Sequence, residues 1–213
     1  MGTKFSTRIW VSVVGIASIF FGSKGYADTV ISVADFGLKP DTRENAVAYV
    51  QKAIEACRGK EPVTLVFPEG RYDFWPQYAH EKNYYETNTY DVFPKRLAML
   101  FEGLHNITVD GNGSQFVMHD RIQPITVENC DGVTLKNFSI DWDIPLTAQA
   151  RVTKVGSDFF EIEINVLESP YIIEDGKLVF VGEGWKSALG SMIEFESDTH
   201  FVVPGTGDLV LGW

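Results

Sequence analysis

Two aspartates separated by one residue, Asp141 and Asp143, flank Trp142 at the end of a β-branched run. On an extended strand successive side chains take opposite faces, so both carboxyls project to one side and the indole to the other. Their Cα atoms would then stand about 6.7 Å apart. Paired carboxyls suit hydrolysis of a glycosidic bond, where one protonates the leaving oxygen and the other attacks or activates water; room for a water needs roughly 6.5–9.5 Å between them. The alternative is two solvated surface carboxylates. A bound cation would need a third ligand, and none is evident nearby. His80, His105, His119 and His200 lack metal-ligand spacing and read as turn or surface residues. With no phosphate-cradling loop or nucleophile elbow in the chain, neither a metal nor a cofactor is expected.

A second group of residues could bind rather than react. Trp75, Tyr78, Tyr84, Tyr85, Tyr90 and Phe93 crowd the stretch that contains Pro76 and Pro94. Ring faces suit the apolar faces of sugars, which makes Trp75, Tyr84 and Tyr85 candidate substrate contacts. Packing of the same rings onto the body of the protein explains them equally well.

The element that must position these side chains is a repeat. Shifted by 26 residues, Met99–Gly103 falls on Ile125–Asn129 and Asn106–Gly111 falls on Gly132–Asn137. Carried on, that register sets Phe116 over Trp142 and Met118 over Ile144. Short strands closed by Asn, Asp or Gly turns and returning at fixed spacing are the pattern of stacked coils, each burying the open face of the one before. Cys57 and Cys130 each read as a small buried apolar residue and are expected to be free thiols.

Ahead of the repeat, Val30–Val33, Val63–Phe67 and Arg71–Trp75 read as strands. Asp41 and Glu44 have capping-box spacing before an apolar face of Ala46, Val47, Val50, Ala53, Ile54 and Cys57. That single amphipathic helix would cover the open end of the stack. From Thr147 the pattern changes to alternation: Ala148–Val152 and Phe160–Val166 form an expected antiparallel hairpin, followed by strands over Lys177–Val181, Ser191–Glu196 and Phe201–Val203. The organisation read from this is a signal peptide over 1–27, a cap with the first coils over 28–146, and the start of an inserted antiparallel β domain over 147–213.

The proposed leader has a basic start at Lys4 and Arg8, an apolar run over Ile9–Phe21 and small residues before Asp28. The run is shorter than the roughly 20 residues a spanning helix needs. Export to the periplasm, the cell surface or the medium is expected, with no membrane span after cleavage. A net charge of −11 disfavours nucleic acid and anionic membranes, and argues mildly against a polyanionic substrate.

Val33-Ala34-Asp35-Phe36-Gly37, the Pro40-Asp41 turn, the helix ending Gln51–Cys57 and Val66-Phe67-Pro68-Glu69-Gly70-Arg71-Tyr72 together resemble the opening of the pectate-lyase-like right-handed parallel β-helix superfamily. The implied fold is all-β, a right-handed parallel β-helix with an N-terminal capping helix and a small antiparallel β-barrel or sandwich insertion. Tyr84–Asn88, Arg96–Glu102, Ile107–Gly113 and Asn137-Phe138-Ser139-Ile140-Asp141-Trp142-Asp143 narrow the resemblance to the exported α-1,3-galactosidases of glycoside hydrolase family 110. That resemblance implies a metal-independent, inverting exo-hydrolase acting on glycans with terminal α-1,3-linked galactose, such as blood-group B structures. Its catalytic carboxylates are expected on later coils, so this segment is expected to be an inactive N-terminal part and no catalytic role is carried over. A pectin-type lyase or galacturonase, and a non-catalytic truncated β-helix that binds or scaffolds, are the other readings.

Overall fold

A computed structural model describes residues 29–84, 94–206 and 209–210; the expected leader and Tyr85 lie outside them. In chain order the first part comprises β1 (Thr29–Ser32), a short 3-10 turn (Val33–Phe36), α1 (Val47–Cys57), β2 (Val63–Val66), β3 (Arg71–Phe74), β4 (His80–Lys82), β5 (Lys95–Glu102), β6 (His105–Met118), β7 (Gln123–Glu128) and β8 (Asp131–Trp142). In one sheet β1 lies parallel to β2, the two halves of β6 run parallel to β2 and β3, and β8 runs parallel to β6. In a second sheet β5 runs parallel to β7, with β4 antiparallel on the other side. From β5 to β8 the chain alternates between the sheets, so β7 lies beside β5 and β8 beside β6.

The 26-residue register is observed where the repeat is plainest, with Met99 beside Ile125 and Ile107 beside Val133. Beyond Asp110 it changes. Phe116 lies beside Ile140, and Met118 beside Trp142, rather than beside Trp142 and Ile144. The cause is a corner: pairing pauses after Asp110↔Lys136 and resumes at Ser114↔Phe138, so the earlier strand has two additional residues there. Asn112 and Gly113 absorb the bend with φ of 51° and 84°, a conformation that Asn and Gly tolerate best. Trp142 still points inward and packs against the core.

That core is a stack of side chains from successive strands. Phe116 meets Phe67, Tyr72, Phe74 and Phe138 with ring centroids 4.7–6.2 Å apart. Burial of each such ring contributes roughly 1.5–3 kcal/mol. Helix α1 lays Val47, Val50, Ala53, Ile54 and Cys57 on the same core. The Asp41–Glu44 capping box is not formed. Asp41 takes φ 61° and its carboxylate accepts from the Arg71 amide, while the Asn45 side-chain oxygen accepts from Val47 N. The pattern was misplaced because Asp41 is held by the neighbouring strand. A capping box does occur earlier, between Ser32 and Asp35.

Strands β7 and β8 are less covered than β5 and β6. Phe101, Val109 and Phe116 are 0% exposed, whereas their partners one rung on, Val127, Leu135 and Ile140, are 46%, 39% and 38% exposed. Cys57 is buried and Cys130 half-buried, both as free thiols.

The second part is antiparallel: β9 (Ala150–Val155) pairs with β10 (Phe160–Ile164) as the expected hairpin, β11 (Tyr171–Glu174) with β12 (Lys177–Gly182), β12 with β13 (Trp185–Ala188), and β14 (Ser191–Met192) with β15 (Leu209–Val210), whereas the strands expected over Ser191–Glu196 and Phe201–Val203 reduce to β14 and an isolated Phe195–Val202 bridge. Among the described residues no helix is long and apolar enough to cross a membrane.

Candidate functional site

Strands β3, β6 and β8 are neighbours in one parallel sheet, and their alternation decides what faces out. Tyr72, Phe116 and Ile140 form one inward row, and Phe74, Met118 and Trp142 the next. The outward row between them is Asp73–Val117–Asp141, and the outward row before them is Arg71–Gln115–Ser139. The ladder continues past the strand ends, where His119 N donates to Phe74 O at 2.9 Å and Asp143 N to Met118 O at 3.0 Å. Trp75, His119 and Asp143 therefore form a third outward row.

These rows hold a charged cluster. Asp73 has a side chain 0% exposed. It accepts from Arg71 Nε at 3.0 and 3.1 Å, from Arg71 Nη2 at 2.6 Å, and meets His119 Nε2 at 2.9 Å. The same Arg71 nitrogen reaches Asp143 at 2.6 Å, and Arg43 lies 3.4 Å from Asp143 and 3.6 Å from Asp73. His119 Nδ1 meets the Glu183 carboxylate at 2.8 and 2.9 Å. Carboxylates only accept, so both imidazole contacts are hydrogen bonds when both ring nitrogens carry protons. The Trp75 indole stacks on that imidazole at 3.8 Å and 10°.

Glu183 comes from the turn between β12 and β13, so this cluster joins the antiparallel part to the parallel sheet. The fit is close. Gly184 has φ 75°, and a Cβ there would lie 2.5 Å from an Asp120 carboxylate oxygen. Arg121 stands 6.0 Å over the Trp185 ring.

Burial alone would raise Asp73, but its hydrogen bonds from Arg71 and His119 outweigh that and hold its carboxyl below the usual range. The hydrogen bond from Arg71 likewise lowers Asp143, against the smaller effect of desolvation. Both groups are thus kept ionised. An ionised Asp143 can accept a hydrogen bond from a sugar hydroxyl; its lowered pKa suits it neither to general acid nor to general base work. Ligand atoms of Asp73, His119 and Asp143 lie within 4.8 Å of one another, close enough for a metal ion. The Arg71 guanidinium already donates to both carboxylates, so the cationic position of the cluster is filled by the protein itself.

Of the residues singled out from sequence, Asp143 and Trp75 meet in this cluster. Asp141 does not join it: it is exposed and accepts from the Trp142 amide at 2.8 Å. Tyr84 sits by the second sheet, where its hydroxyl donates to Glu128 beside Lys82, which in turn bridges Glu102 at 2.7 Å and Glu128 at 2.8 Å. That contact anchors the chain as it leaves β4 and commits the Tyr84 hydroxyl to packing. His80, His105 and His200 are exposed, as read, but His119 is 2% exposed, correcting its assignment to a turn or surface. Arg71 and Asp73 share the alternation that pairs Asp141 with Asp143, so the β3 pattern held that signal. Glu183 had none, because its contact spans 64 residues.

Comparison with known proteins adds to this geometry. A family model described as GLAA-B beta-barrel domain I matches residues 148–212, the antiparallel part. The α-1,3-galactosidase B of Bacteroides thetaiotaomicron is 60% identical over 187 residues, covering 88% of this chain and 30% of that protein. The α-1,3-galactosidase A of Shewanella woodyi is 36% identical over 169 residues, or 78% and 28%. The α-1,3-galactosidase B of Phocaeicola vulgatus is 36% identical over 205 residues, or 94% and 32%. The chain spans about 30% of the length of these curated relatives.

Proposed function

Because the chain belongs to the family of the α-1,3-galactosidases A and B, we propose that it is the N-terminal part of an exported glycosidase that removes terminal α-1,3-linked galactose. Blood-group B type and related glycans are the proposed substrates, and inversion at the anomeric carbon the proposed outcome. The architecture behind this is a right-handed parallel β-helix whose first rungs are residues 28–146, interrupted by an antiparallel barrel from residue 147, with residues 1–27 as the export signal.

The observation that carries the proposal is the outward face of the parallel sheet. Trp75, His119 and Asp143 form one row across three neighbouring strands, next to the row that ends in Asp141. Further rungs stacked on the exposed Val127, Leu135 and Ile140 would extend both rows. Carboxylates on those rungs would supply the acid and base across the sugar bond, beside a wall formed by the antiparallel part. Within this chain Arg71 and Asp143 would bind sugar hydroxyls, with Arg43 and Asp73 holding them in place.

The test is hydrolysis of an α-1,3-galactosyl disaccharide without added metal. The chain extended to the length of its relatives is expected to release galactose, first as the β anomer by NMR, and residues 28–213 alone to release none. Activity on polygalacturonate, or a requirement for calcium, overturns the assignment.

A further inference from the structure

The turn that follows Trp75 presents a second aromatic ring on the other side of Asn45. Tyr78 is 65% exposed and has φ 69°, a left-handed conformation that a bulky L-residue adopts only when its surroundings enforce it. Two side chains enforce it here. Asn45 Nδ2 donates to Gln77 O at 2.8 Å, and Gln51 Nε2 donates to Tyr78 O at 2.9 Å. The Asn45 oxygen also accepts from Trp75 N at 3.2 Å, which fastens the whole turn to the start of α1. All this fixes the backbone of a ring that the core does not use.

Below the ring, along the solvent face of α1, lie two adjoining depressions, both wide open to solvent. Ala48, Lys52 and Tyr78 line both; Glu44 and Asn45 are among the residues that complete one, Glu55 and His80 among those that complete the other. Among the described residues, the Lys52 ammonium, the Glu44 carboxylate and the His80 ring have no hydrogen-bond or ion-pair partner. An apolar ring face with a few free donors and acceptors beside it, on a shallow surface depression, is the chemistry that seats a single sugar unit. The mixed charge favours a neutral one, since an anion would meet Glu44 on a chain of net charge −11.

We propose that the groove between α1 and the Trp75–Tyr78 turn is a second saccharide-binding site, which seats a neutral sugar unit on the Tyr78 ring. It is distinct from the charged cluster, although adjacent residues serve the two: Arg43 reaches Asp143 and Glu44 lines the groove. Only the choice of a galactoside as ligand rests on the galactosidase reading.

The experiment is titration of the full chain with an α-1,3-galactosyl disaccharide, followed by saturation-transfer NMR and tyrosine fluorescence. Saturable binding is expected, weakened at least tenfold in Tyr78→Ala and in Tyr78→Gly. Glycine accepts φ 69° freely, so Tyr78→Gly is expected to unfold no earlier than the unaltered chain, which separates loss of the ring from loss of the fold. Unchanged binding in Tyr78→Gly, absence of saturable binding to the chain, or binding abolished by Asp143→Asn alone each overturns the groove. Galactose release by the longer protein is a separate readout: release without saturable binding that depends on Tyr78 overturns the groove and leaves the galactosidase reading standing.

Discussion

Asp73→Asn is the sharpest test of the cluster. Asp73 is fully buried and accepts two guanidinium nitrogens of Arg71 together with His119. Asparagine keeps the shape but offers one acceptor, and its amide would face an N–H donor. Breaking a buried pair by removing one partner costs about 3–5 kcal/mol, because the other charge is left uncompensated. Arg71 is 22% exposed and keeps Asp143, so part of its charge remains solvated or paired. The lower end, about 3 kcal/mol, is therefore expected. For a chain of this size that is a fall of about 6–12 °C in the unfolding midpoint. Thermal and urea unfolding of the full chain, followed by tryptophan fluorescence, measures it. In the double variant with Arg71→Gln, the loss is expected to fall short of the sum of the two singles by about 0.5–3 kcal/mol. A single-variant effect below about 0.5 kcal/mol, typical of an unconstrained surface site, refutes the network. Strict additivity refutes it as well.

Acid should weaken the same contacts. The folded pKa values of Asp73 and Asp143 are lowered, so their contribution is complete above the unfolded value of about 3.9 and is lost as pH falls through the folded values. Midpoints measured from pH 7 down to pH 2 should fall steeply below about pH 4 and less steeply in Asp73→Asn; parallel profiles contradict this. Gly111→Ala tests the stacking of rungs, because its Cβ would lie 2.5 Å from Phe138 Cβ and 2.7 Å from the Asn137 carbonyl on the next strand. Overpacking of this kind costs about 1–3 kcal/mol, and unchanged urea unfolding would show that the two strands are not held so closely.

Much of the local structure is written in spacing. The 26-residue repeat forecasts Ile107 beside Val133, and the apolar positions of α1 forecast which side chains meet the core. The alternation after Thr147 forecasts the antiparallel pairing of β9 with β10. These features follow from period: a strand repeats every two residues, a helix every 3.6, and a coil at its own length. The inward turn of Trp142 and the outward turn of Asp143 come from the same rule, whichever residue lies on the next strand.

Contacts between distant segments have no period. The Asn112–Gly113 corner moved Trp142 from Phe116 to Met118, a difference visible only once both strands are laid side by side. Asp41 matched a capping box, yet the amide of Arg71 competed for its carboxylate and won. His119 looked like a turn residue until Asp73, 46 residues earlier, and Glu183, 64 residues later, closed on its two ring nitrogens. The chain alone determined the strands, their faces and the apolar rows, because those depend on neighbours along the backbone. Which charges meet, and which carboxylates are held ionised, was decided by the tertiary structure, because burial and electrostatic pairing depend on segments that only folding brings together.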